Sequence, residues 1–193
     1  MIKIGILGDI GSGKSYVARS FGYPVFNADL EVGKLYKKDK KTHNKLRKIL
    51  PKYIHSFPIN KNEISRAILS NKSNLKKIGK IVHLEIRKKL NIFINKNRNK
   101  KIIILDIPLL LENKINKKND ILIFVQSKRI EIFKRLKKRK NFNAILLKRF
   151  KSIQLPLNYK KKKSTFVIKN DFTKKLIKND IKNILKKIYK WKK

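Results

Sequence analysis

At 193 residues without a cysteine, the chain is long enough for one globular domain with a sizeable core and excludes disulfides and thiolate metal sites, so a cytosolic enzyme is the default expectation. Its formal net charge of +41, from 53 Lys and Arg against 12 Asp and Glu, favours nonspecific polyanion binding; because the charge is mostly Lys spread along the length, with no Arg and aromatic patch, no specific nucleic-acid partner is expected. No apolar run approaches the roughly 20 residues that span a bilayer, and an apolar strand pattern already begins at Ile2, so no cleavable leader and no membrane partner are expected.

Ile2 to Leu7 reads as a β-strand, broken at Gly8 and followed by the helix-compatible stretch Ser15 to Phe21. Between them Gly8, Asp9, Ile10, Gly11, Ser12, Gly13, Lys14 and Ser15 satisfy GxxxxGK[ST], the phosphate-binding loop, in its tighter form GxxGxGK[ST]. The glycines let backbone N–H groups turn inward around a phosphate. Lys14 would then reach the outer phosphates and the Ser15 hydroxyl would ligate Mg²⁺. A plain Gly/Ser turn would not explain why Lys14 and Ser15 follow Gly13 directly.

Tyr23 to Phe26 reads as a short second strand ending in Asn27-Ala28-Asp29, which puts an acidic residue where open α/β sheets bind ligands. From Leu30 to about Lys100 the pattern is helical and polar. Leu46, Ile49 and Leu50 mark one face, and Ile64, Ile68 and Leu69 another. The longest helix carries Leu75, Ile78, Val82, Ile86, Leu90 and Phe93 at gaps of three and four. This block exceeds a simple crossover, so an inserted helical lobe is expected, part of it crossing back to the sheet.

Lys101 to Pro108 and Ile121 to Val125 have the continuous apolar character of central parallel strands. Lys128 to about Lys140 reads as a helix with Arg135 and Arg139 on one side. The Lys160 to Lys163 run reads as a solvated loop before a last short strand, Thr165 to Ile168. Phe172, Leu176, Ile177, Ile181, Ile184, Leu185, Ile188 and Trp191 form one stripe of a terminal helix that Asn170 or Asp171 could cap. The expected fold is α/β, a doubly wound five-stranded parallel sheet with an inserted helical substrate lobe and an arginine-bearing lid. In numbers, the core comprises about 1–29, 101–127 and 164–193, the lobe about 30–100 and the lid about 128–163.

A phosphate loop alone serves GTPases, ATPases and kinases. The tight loop, a lobe able to hold an acceptor, and lid arginines favour a small-molecule kinase, in which positioning, charge neutralisation and water exclusion supply most of the catalysis. Another nucleotide or metabolite kinase, or a nucleic-acid-binding ATPase, are the alternatives.

The motifs, taken in order, resemble those of the dephospho-CoA kinase family. Gly5 to Ser15 resembles its GLTGGIGSGKS. Phe26-Asn27-Ala28-Asp29 resembles its hydrophobic-DAD, Arg66 with Leu69 its R-x-x-L, Val82 to Arg87 its HPxIR, and Asp106 to Glu112 its PLLFE segment. Arg135, Arg139, Arg149 and Gln154 match the spacing of its lid. The resemblance implies ATP-dependent phosphorylation of the ribose 3′-hydroxyl of dephospho-CoA, with Mg²⁺. It implies Asp29 as the carboxylate at the acceptor hydroxyl and Arg66, His83 and Arg87 toward the acceptor's phosphates and adenosine. Pro108 and Glu112 would shape the acceptor side, Asp106 would hold the Mg²⁺ water shell, and Arg139 and Arg149 would contact ATP. Plainer alternatives are a helix N-cap for Asp29, a structural role for His83, and solvated surface charge for the two arginines. Asn27 replaces the first acid of the triplet, Leu84 the proline after His83, and Thr165-Phe166 lacks the acid usual before the last strand.

Overall fold

A computed structural model describes residues 1–191. In chain order the elements are β1 (Ile2–Gly8), α1 (Lys14–Ser20), β2 (Val25–Asn27), α2 (Ala28–Lys38), α3 (Lys40–Ile49), α4 (Lys61–Ser70), α5 (Lys72–Lys96), β3 (Ile102–Asp106), β4 (Ile121–Gln126), α6 (Arg129–Lys137), α7 (Ala144–Ser152), α8 (Leu157–Lys162), β5 (Phe166–Lys169) and α9 (Lys174–Trp191). They form two compact units. One holds Met1–Asn27, Asn97–Phe142 and the chain from Gln154 onward; the other holds Ala28–Lys96 and Asn143–Ile153.

The first unit is built on a five-stranded, all-parallel sheet ordered β2-β3-β1-β4-β5. Ile102 to Asp106 are all buried, as a strand covered on both faces requires. Ile4, Ile6, Ile104, Ile123, Val125 and Ile168 project toward Val17, Ala18 and Phe21 around α1 and Ile177, Ile181, Ile184 and Ile188 of α9. On the other face a Cβ at Gly5 would lie 2.5 Å from Leu110 Cδ2. β1 lies between β3 and β4, so the chain reverses its direction of winding there, and the loop after β1 occupies the switch point where open α/β sheets bind ligands.

Several boundaries differ from the sequence expectation. β2 starts at Val25; Pro24 precedes it and only its carbonyl joins the ladder, accepting from Ile104 N–H at 2.9 Å. α6 ends at Lys137, so Arg139 lies beyond the helix and does not share a helical side with Arg135. The lysine run is not a solvated loop: Lys160 sits in α8 and is 1% exposed. Asn170 and Asp171 do not directly precede α9. Asp171 accepts from Thr173 N–H and Oγ1–H at 2.9 and 2.8 Å, and Asn170 turns toward the phosphate loop. Leu176 is half exposed and leaves the α9 stripe, while Trp191 stacks on Phe166 with centroids 5.2 Å apart.

In the second unit α5 is the spine, burying Leu75, Ile78, Val82, Ile86 and Leu90 at the expected spacing, and α2, α3 and α4 pack on it. α7 packs on α4. The stretch 128–163 thus divides, with α6 and α8 in the sheet unit and α7 in the helical one. Leu46 and Leu50 are buried, but Ile49 at the edge of that face is exposed. Asp39 caps α3 through Thr42 N–H at 3.1 Å. Glu63 accepts from the N–H groups of His55 and Ser56 and so fixes the loop before α4. Among the described residues no helix is long and apolar enough to cross a membrane.

Candidate phosphate-binding and acceptor sites

The loop after β1 reverses the chain through three glycines with positive φ, Gly8, Gly11 and Gly13. Gly13 has two reasons to be glycine. Its φ of 89 is in the left-handed region, and a Cβ would come within 2.3 Å of Asn170 Nδ2. At Gly8 a Cβ would lie 2.6 Å from Val125 O. The Gly13 carbonyl accepts from Tyr16 and Val17 N–H to start α1, which has no side-chain cap.

Lys14 is folded back on the loop, its Nζ donating to Asp9 O at 2.7 Å and Gly8 O at 3.2 Å. Asp9 Oδ1 accepts from Ile10 N–H at 2.7 Å, and Asp9 O from Ser12 N–H at 3.1 Å. The fully buried Ser12 is braced from outside. Its carbonyl accepts from Asn170 Nδ2 at 2.8 Å and from Ser127 Oγ at 3.0 Å, while its own buried hydroxyl meets no partner among the described residues. Sequence reasoning missed Ser127 and gave Asn170 only a capping role. Their signal was position, since each directly follows the carboxyl end of a strand, β4 and β5.

Asn27 and Asp106 are register partners in β2 and β3. Asn27 Nδ2 donates to Asp106 Oδ2 and lies 3.5 Å from Ser15 Oγ, so the amide links the buried carboxylate to the helix hydroxyl. A divalent cation fits this donor set only with help. Among the described residues no three His, Cys, Asp or Glu side chains converge, so Ser15 and Asp106 oxygens would be completed by phosphate and water, the pattern Mg²⁺ prefers.

The Arg135 guanidinium covers the Phe172 ring at 4.2 Å, and the exposed Arg139 follows α6. Pro108 and Glu112 lie on the segment leaving β3, and Glu112 Oε1 pairs with Lys160 Nζ at 2.6 Å. In the helical unit Asp29 is the second residue of α2. It is therefore not the N-cap, and its charge sits in the first turn, where the helix dipole favours it. Arg66 is exposed on α4, and His83 and Arg87 lie one turn apart on α5. Burial and then the neighbouring Arg87 charge hold the His83 pKa below its ordinary value, which favours the neutral ring, a partner for hydrogen bonds rather than a cation. Arg149 on α7 is half-buried, with Nη1 lacking a hydrogen-bond partner among the described residues. The structure thus groups residues 9–15, Asp106, Pro108, Glu112 and Arg139 in one unit and Asp29, Arg66, His83, Arg87 and Arg149 in the other.

Gly13→Ala is expected to displace Asn170, weaken the Ser12 brace and lower ATP affinity by about tenfold or more, since strain and a clash combine at one atom. ATP titration followed by calorimetry checks it; an unchanged dissociation constant would mean that the loop relaxes freely.

The family model for dephospho-CoA kinase matches residues 2–175. A curated dephospho-CoA kinase from Wolbachia sp. subsp. Brugia malayi is 35% identical over 187 residues, covering 94% of this chain and 95% of its own. A crystal structure from Thermus thermophilus matches with a TM-score of 0.74 at 25% identity, covering 96% of this chain and 97% of that one. The dephospho-CoA kinase from Campylobacter jejuni shares the fold, with a TM-score of 0.63 at 22% identity over 99% of this chain and 98% of its own. A phosphate loop at the switch point of a five-stranded parallel sheet, with a family match covering nearly all of it, makes this chain a member of the dephospho-CoA kinase family, kinases that transfer phosphate to an alcohol group.

Proposed function

We propose that this chain transfers the γ-phosphoryl of ATP to the ribose 3′-hydroxyl of dephospho-CoA, giving coenzyme A and ADP. The observation that carries the nucleotide half is the braced loop, with Lys14 Nζ held at its carbonyls and Ser15 beside the Asn27–Asp106 pair. Bound Mg²⁺ would neutralise phosphate charge. Ser15 and Asp106 would hold it, Asp106 through water. The backbone from Asp9 to Ser15 cradles the phosphates, and Lys14 exchanges its carbonyl partners for their oxygens. Arg139 and Arg149 add charge against the nucleotide, at the cost of few new interactions elsewhere because neither is ion-paired to a carboxylate among the described residues. Asp29 accepts or orients the hydroxyl proton. Arg66 and Arg87 supply cationic contacts to the acceptor and His83 a neutral one, while Pro108 and Glu112 shape its wall.

Incubating the protein with Mg-ATP and dephospho-CoA should yield a product heavier by one phosphate, read by mass spectrometry. Phosphorylation of a nucleoside monophosphate but not of dephospho-CoA would reassign the acceptor. ATP hydrolysis stimulated by RNA or DNA at moderate salt would point to the nucleic-acid reading instead.

A further inference from the structure

Of the many lysines in this chain, Lys160 is singled out by burial. Its side chain is 1% exposed, whereas its neighbours Lys161, Lys162 and Lys163 are exposed. A buried ammonium is tolerated only when paired and hydrogen-bonded. Lys160 Nζ meets Glu112 Oε1 at 2.6 Å and Gln154 Oε1 at 3.3 Å. Leu155 N–H donates to the same Glu112 oxygen at 3.0 Å.

The two carboxylate oxygens of Glu112 are therefore unequal. Oε1 takes both donors; Oε2 is buried and meets none among the described residues. A carboxylate oxygen can only accept, so it calls for an O–H or N–H donor and repels phosphate. Glu112 closes the segment that leaves the carboxyl end of β3, the edge of the sheet that also carries the phosphate loop on β1.

We propose that Lys160 is a positioning residue, clamping Glu112 through Oε1 so that the buried Oε2 is left unpaired for a hydroxyl or amino donor of the acceptor. The inference rests on the dephospho-CoA reading above. Lys160 touches no reacting atom. Its ammonium compensates the buried carboxylate and sets its rotamer, and Gln154 with Leu155 fixes the clamp from the chain that follows.

Lys160→Met removes the charge and keeps most of the volume. Steady-state kinetics should show KM for dephospho-CoA raised about tenfold or more, the usual scale for a lost hydrogen bond to a charged group, with KM for ATP within about twofold. Because that variant leaves a buried charge unpaired, the double variant Glu112→Gln/Lys160→Met is measured beside it. With the ion pair replaced by neutral groups its melting temperature should return toward that of the wild type, yet KM for dephospho-CoA should stay raised. Recovery of both quantities in the double variant would make the pair a structural brace and overturn the proposal. So would an unchanged acceptor KM in a folded Lys160→Met. A wild-type chain that forms no coenzyme A would overturn the underlying reading and this inference with it.

Discussion

Lys14→Ala is expected to reduce kcat/KM for coenzyme A formation by about a thousandfold or more, which corresponds to roughly 4 kcal/mol of transition-state stabilisation. The reasoning starts from what the substitution leaves intact. The glycine loop, the Gly13 carbonyl that starts α1 and the Asn170 and Ser127 braces on Ser12 do not depend on the ammonium. Lys14 is half-buried, and of the two buried carbonyls it now contacts, Gly8 and Asp9, the Asp9 oxygen keeps the Ser12 N–H at 3.1 Å when the ammonium is removed. What would disappear is a cation that, on the proposed function, moves from these carbonyls to the outer phosphates, where charge changes most in phosphoryl transfer. Kinetics with the variant, together with a melting curve matching the wild type, checks this. A loss of less than about tenfold would mean that backbone N–H groups and metal carry the charge, and that Lys14 is chiefly a loop strut.

Asp29→Asn is expected to lower kcat by about 10² to 10⁴, the range for removing a general base, with KM for ATP little changed. Within Phe26-Asn27-Ala28-Asp29 it is the only side chain able to take a proton, because Asn27 is an amide whose Nδ2 is already given to Asp106. The substitution preserves shape and removes only charge and basicity. As a first-turn acid of α2, Asp29 contributes about 0.3–1 kcal/mol through the helix dipole, too little to explain such a fall in turnover. The size of the effect therefore separates the roles. Turnover within a few-fold of wild type would leave Asp29 as a helix-terminus charge, and a flat dependence of kcat on pH across the carboxylate range would agree with that.

The parallel sheet was legible because its central strands are short apolar runs, and Ile102 to Leu105 has no polar residue to blur the pattern, although β3 leads to β4 through turns with no helix between them. The spine helix was legible because Leu75, Ile78, Val82, Ile86 and Leu90 keep their spacing over about four turns. The phosphate loop was legible because its chemistry requires glycines, a lysine and a hydroxyl in one unbroken stretch. Helix ends were less so: α6 stops before Arg139 although nothing in Lys137 to Lys140 breaks a helix, since lysine and arginine are good helix formers and only packing decides where the turn is abandoned.

The sequence by itself determined the central strands, the spine helix and the phosphate nest, because these are written in local spacing, while the kind of reaction was implied by the order of motifs that resemble one family's. The tertiary structure alone decided the strand order, and with it that Asn27 lies beside Asp106, that Ser127 and Asn170 grip Ser12, and that one lysine of a four-lysine run is buried on Glu112. These pairs lie between 48 and 158 positions apart, as for Lys160 with Glu112 and Asn170 with Ser12. Contacts at such separations leave no periodic trace in the chain; they exist only once burial has brought the carboxyl ends of the strands together.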